Sequence, residues 1–164
     1  MFKESDMTSS TTLEFSEMLI EGAKEVFETM IFMSIEKSPD ATAPLGDNIL
    51  GTITFTGDVQ GCIGICCSKS CATSIAANMM GLDNASELSQ EEIADAVGEV
   101  ANMVMGSFKA RLLSNYNTIN VSIPSVVSGA NLDTMLIDGQ NRAVVPVMID
   151  EHQARLMLLT KAKS

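Results

Sequence analysis

Apolar residues near the start of the chain recur at helical spacing. Phe15, Leu19, Ala23, Val26, Phe27, Met30 and Ile31 share one face of a helix expected to end near Ile35. Thr11-Thr12-Leu13-Glu14 reads as its capping box, in which a Thr oxygen accepts a free backbone N–H and Glu reaches back. Ser38-Pro39-Asp40 and Ala43-Pro44 then impose a loop. Two β-rich runs, 49–55 and 62–67, flank Thr56-Gly57-Asp58 and predict a hairpin. Gly51, Gly61 and Gly64 within them point to close packing against a strand, or a bulge. Residues 70–80 read as a short helix closed by Gly81 in the left-handed conformation. Ser89-Gln90-Glu91-Glu92 is a second capping box, opening the longest helix, which runs to about Leu113. Beyond Ser114-Asn115-Tyr116-Asn117 the period changes, and 119–127, 134–137, 143–149 and 154–160 read as strands. Turns are expected at Asp138-Gly139-Gln140-Asn141 and at Asp150-Glu151-His152-Gln153. This order predicts an α+β fold, a mainly antiparallel sheet covered by two long helices and a short one. Residues 1–10 are polar and expected to form a flexible lead-in, with 11–164 as a single domain.

Composition narrows the function without naming it. A chain of 164 residues, 46% hydrophobic and 19% charged, can bury a core unaided. Its net charge of −11 argues against nucleic acid and against an anionic membrane surface, both of which recruit clustered Lys and Arg. The first residues hold no apolar signal region, and no run is long and apolar enough to span a bilayer. A soluble cytoplasmic protein is expected.

Cys62, Cys66, Cys67 and Cys71 lie in a C-x3-C-C-x3-C pattern. It lacks the C-x2-C pairing and nearby His of a zinc site, and one strand would send Cys66 and Cys67 to opposite faces. Small buried hydrophobes are the simpler reading. A metal- or redox-sensing protein built on them is the sharper rival, decided by metal analysis of anaerobically purified protein. No G-x-x-x-x-G-K-[ST] loop is present, and the sole His, His152, falls in an expected surface turn.

The long helix carries more. At about 100° per residue, Asp95, Glu99 and Asn102 stack within roughly 60° of one another. Ile93, Val97, Val100, Val104 and Phe108 fall on the opposite, buried side. A polar stripe is ordinarily a solvated helix face. Here Asn102 is a mediocre helix former, and Gly98 and Gly106 lie on or near the stripe at about 1 kcal/mol each relative to Ala. Close approach by another surface explains those glycines better than stability does. A shift of 74 residues lays Glu21, Glu25 and Glu28 over Asp95, Glu99 and Asn102, as a duplicated pair of helices on one sheet would.

The run Asp95-x3-Glu99-x2-Asn102, within Ala96-Val97-Gly98-Glu99-Val100-Ala101-Asn102-Met103-Val104-Met105-Gly106, resembles the motif of the CheC/CheX/FliY family. These proteins are phosphatases of phosphorylated response regulators in bacterial chemotaxis. Ser122-Ile123-Pro124-Ser125-Val126-Val127-x-Gly129 is similar to the strand that follows this helix in CheX-type members. Members of the CheC type carry the motif on both long helices, those of the CheX type on one. With no Asn among Glu21, Glu25 and Glu28, the first helix reads as a degenerate pseudo-site and the chain as CheX-like.

The resemblance implies a CheC-like fold, a homodimer and a CheY-like receiver whose aspartyl phosphate is the substrate. It implies Mg2+ in the partner's site, and no cofactor or metal in this chain. Asn102 would orient the attacking water, and Glu99 would meet the receiver's active-site Lys. Asp95, Gly98 and Gly106 would support docking. A neutral amide can hold that water without repelling the phosphoryl group, as a carboxylate at Glu28 would. Two rivals share the fold: a receiver-binding module without hydrolysis, and a flagellar switch component, for which the chain lacks extra domains.

Overall fold

The computed structural model describes residues 4–39, 46–130, 132 and 141–161. The first helix, α1 (Glu4–Val26), continues as a wide π turn, Phe27–Ile31. It therefore starts ahead of the expected capping box. It also stops before Ile35. Phe32 adopts a left-handed φ of 62° and the Met33 N–H returns to the Phe27 carbonyl at 3.0 Å. Ile35 instead opens a short strand, β1 (Ile35–Lys37), paired with Ile149 across the molecule. Tertiary pairing overrides the helical periodicity there. The face expected to be buried is buried except for Met30, which is exposed.

The hairpin forms as β2 (Asp47–Gly57) and β3 (Gln60–Ser68). Ser68 then caps α2 (Lys69–Met80), its Oγ accepting the Cys71 N–H at 3.0 Å, and Gly81 closes it at φ 66°. α3 (Gln90–Leu112) opens on the expected capping box. The Glu92 N–H donates to Ser89 Oγ and the Ser89 N–H to Glu92 Oε1, each at 3.1 Å.

The expected strand over 119–127 is two strands, β4 (Ile119–Val121) and β5 (Ser125–Ala130), lying end to end on the outer edge of β2. Pro124 has no N–H for the ladder, so pairing lapses across 122–124. The strand expected at 134–137 and the first residues of the turn after it lie outside the described residues. β6 (Asn141–Ile149) and β7 (His152–Lys161) follow. The turn between them is shorter than expected, because Asp150 takes a left-handed φ of 50° and lets Asp150-Glu151 alone close it. His152 consequently sits on β7 opposite Ile149, half-buried, with Nε2 3.4 Å from Ser74 Oγ.

The strands join in the order β1-β6-β7-β3-β2, with β4 and β5 completing the β2 edge, and every pairing is antiparallel. The helices cover one face of this sheet. Phe108 of α3 packs edge-to-face on Phe15 of α1 and Phe55 of β2, at centroid distances of 6.1 and 5.7 Å. Gly51 on β2 brings α3 down close, since a Cβ there would lie 3.0 Å from a Val97 methyl. A smaller cluster, Leu50, Cys66, Leu132 and Met157, fills the other face.

All four cysteines are free and buried. Burial pushes the Cys62 thiol up. A hydrogen bond with Cys71, then burial, pushes Cys67 well above the usual thiol range. Thiols held protonated in this way are poor nucleophiles, as packing residues would be.

Candidate functional site

α3 presents the stripe on a stiff support. Its capping box fixes one end, Lys109 and Arg111 complement the carbonyl end, and Val97, Val100, Val104 and Phe108 root the opposite side in the core. Ile93, placed by periodicity on that side, is only half-buried. Asp95, Glu99 and Asn102 are all exposed. None of the three side chains has a hydrogen-bond or ion-pair partner among the described residues. Two carboxylates and a primary amide thus stand unpaired along one line of a rigid helix, where a second molecule can reach them.

The glycines of the stripe divide. Gly98 is buried by this chain's own residues. A Cβ there would lie 3.3 Å from a Val126 methyl and 3.8 Å from the Pro124 ring. The close approach that its missing side chain permits is that of β5 and the bend before it. Gly106 is exposed, with nothing within 4 Å of where its Cβ would be, and remains open to a partner.

The matching residues of the first helix are occupied differently. Glu25 Oε2 accepts hydrogen bonds from Arg111 Nη2 at 3.0 Å and from Ser107 Oγ at 3.1 Å. Arg111 Nε also lies 3.6 Å from a Glu21 oxygen. The Arg111 hydrogen bond, then that of Ser107, holds the Glu25 carboxyl below its usual range. Glu21 and Glu25 thus clamp α1 to α3, while Glu28 stands exposed on the π turn. The position that corresponds to Glu99 is engaged within the fold, and the one that corresponds to Asn102 bears a charge.

Pro124 and Val126 wall one side of the stripe, a role the sequence does not reveal. Its only signal is a proline inside an alternating run, which marks a break and does not say what the break touches. A cavity of about 170 Å³ lies beside the first turn of α3, lined by Ile49, Lys69, Thr73, Gln90, Ile93 and Ser128. No member of the polar stripe lines it. The stripe is a ridge, a shape suited to entering a partner's pocket rather than to enclosing a small molecule. Among the described residues no group of three or more His, Cys, Asp or Glu could hold a metal ion, and no helix is long and apolar enough to cross a membrane.

Comparison with known proteins places this chain in a family. The family model described as chemotaxis phosphatase CheX matches residues 49–148, from β2 through most of β6. No curated protein sequence matches the chain. Among solved structures, the chemotaxis protein CheX from Vibrio vulnificus has 24% identity over 90% of this chain and 97% of its own, with a TM-score of 0.73. CheX from Desulfovibrio desulfuricans has 21% identity over 90% and 99%, with a TM-score of 0.70. A CheX–CheY–BeF3–Mg2+ complex from Borrelia burgdorferi has 18% identity over 90% and 98%, with a TM-score of 0.72. At these identities the solved structures bear on the fold.

Proposed function

The chain belongs to the chemotaxis phosphatase CheX family, and from that premise we propose that it hydrolyses the aspartyl phosphate of a CheY-like receiver with the ridge of α3. One observation carries the reading: Asn102 and Glu99 are exposed, and unpartnered among the described residues, on a helix whose other side is locked into the core. Hydrolysis of an acyl phosphate needs a water in line with the leaving carboxylate oxygen. That water attacks phosphorus, the P–O bond to aspartate breaks, and inorganic phosphate departs. The enzyme has little covalent chemistry to supply, so positioning dominates.

The Asn102 carboxamide can accept a hydrogen from the water and aim its lone pair without adding charge beside the phosphoryl oxygens. Glu99, one turn earlier, can pair with a receiver ammonium and thereby set the depth to which Asn102 enters. Mg2+, in this reading, is held by the receiver. No residue of α1 repeats the pair, because Glu25 is engaged by Arg111 and Glu28 is anionic.

The test follows phosphate release from phosphorylated CheY-type receivers in the presence of wild type, Asn102→Ala and Asn102→Asp. Wild type should shorten the phosphate lifetime. Both variants should lose about a hundredfold or more of that acceleration with unchanged thermal unfolding, the order expected when a reacting group loses its positioning. An Asn102→Ala protein as fast as wild type sinks the mechanism. A wild type that binds the receiver without shortening the lifetime points to a binding module.

A further inference from the structure

Between β4 and β5 the chain presents an apolar side chain that stands almost wholly in solvent. Ile123 is 86% exposed, more than any other large apolar residue among those described. Its backbone is nevertheless held on both sides. The Ser122 N–H donates to the Thr54 carbonyl at 2.9 Å, the Thr54 N–H donates to Ser122 Oγ at 3.0 Å, and that hydroxyl donates to the Ile123 carbonyl at 3.1 Å. On the other side, Pro124 and Val126 rest against Gly98 of α3. Gly98 is one helical step from both Asp95 and Asn102 on the α3 surface. The bend is therefore tied to the sheet through Ser122 and to the site's own helix through Pro124, and Ile123 rides between these two anchors.

An apolar side chain held out in water on a rigid bend gains nothing for the fold, and burying it in an interface is favourable. Its neighbours on the ridge are carboxylates and an amide, which leave any apolar part of a docked surface unmatched. We propose that Ile123 is a docking and specificity-determining residue, inserting into an apolar depression of the receiver beside its phosphorylated aspartate. The proposal rests on the phosphatase reading of Asn102 and Glu99. A receiver, rather than a lipid surface, is the occupant because the residue adjoins that ridge and the chain carries a net charge of −11.

The experiment measures steady-state dephosphorylation of a CheY-type receiver that wild type acts on, and binding to the same receiver loaded with BeF3– and Mg2+. Ile123→Ser should raise KM and weaken binding about tenfold, the scale of a truncated interface anchor. The loss should lie in KM rather than in kcat. Ile123→Leu should recover most of it. Leu13→Ser, which removes an exposed apolar side chain from α1, should change neither constant. With Asn102→Ala inactive, an Ile123→Ser protein of unchanged KM overturns the docking role alone. So does a loss confined to kcat, or an equal loss in Leu13→Ser. An active Asn102→Ala protein overturns the underlying reading, and the docking role with it.

Discussion

Asn102 and Gly106 occupy the same face of α3 one turn apart, and both are poor choices for an exposed helix interior. In the proposed reaction the compensation for Asn102 is chemical. A carboxylate at that position would face a phosphoryl oxygen at about 4 Å with a repulsion of order 4 kcal/mol near a protein surface, against the roughly 1 kcal/mol of a typical hydrogen bond. Charge therefore decides between Asn and an acid, and the first helix, with Glu28, lies on the wrong side of that margin. For Gly106 the compensation has to come from outside, because among the described residues nothing lies within 4 Å of where its Cβ would be. Gly106→Ala should stabilise the protein by about 0.5–1 kcal/mol through helix propensity alone, read from urea unfolding. It should also lower kcat/KM on the receiver if a partner passes over that point. A stabilised variant of full activity would remove Gly106 from the docking surface. The stripe itself is legible in the sequence, because spacing along one helix is enough to align its three polar residues. Gly98 is not legible in the same way, since a missing side chain shows that some surface comes close without showing which one.

Elements whose ends carry their own chemistry are readable from sequence. Ser89 with Glu92 marks where α3 begins, and Gly81 marks where α2 ends, because each satisfies backbone groups within a few residues. Elements defined by distant partners are not. β1 has only three residues and exists because β6 pairs with it. The clamp between the two long helices is of this second kind, since nothing local joins Glu25 to Arg111. Its pH dependence follows from the sign of the shift. The folded-state pKa of Glu25 lies below its unfolded value, so the contribution to stability is present above the ordinary carboxylate range and is lost as the pH falls through the folded value. Glu25→Gln should consequently be less stable than wild type at neutral pH, with the difference shrinking on acidification below about pH 4, near the ordinary carboxylate value. Urea midpoints between neutral and strongly acidic pH check this. A gap that widens in acid would mean that the contact stabilises the protonated form.

In the proposed reaction the whole molecule brings eleven excess negative charges to an anionic phosphoryl group. Its general field therefore opposes the encounter, and attraction has to be local, at contact distance, where Glu99 can meet a cation. These two influences respond differently to salt. The field of the entire surface is largely screened beyond about 10 Å at 0.1 M ionic strength, whereas a contact pair is screened less steeply. Glu99→Gln separates them, because it changes the net charge by one in eleven yet removes the whole local carboxylate. If Glu99 pairs with the receiver as an exposed ion pair worth roughly 0.2–1 kcal/mol, the variant should show kcat/KM lower by about 1.4- to 5-fold at low salt. That gap should narrow as NaCl is raised, since the wild type has an attraction to lose and the variant does not. Parallel salt profiles would assign the charge dependence to the molecule's overall field and leave Glu99 without a cationic partner. Converging profiles would locate an electrostatic attraction on the turn of α3 that precedes Asn102, where the proposed mechanism needs the water-orienting amide to be anchored.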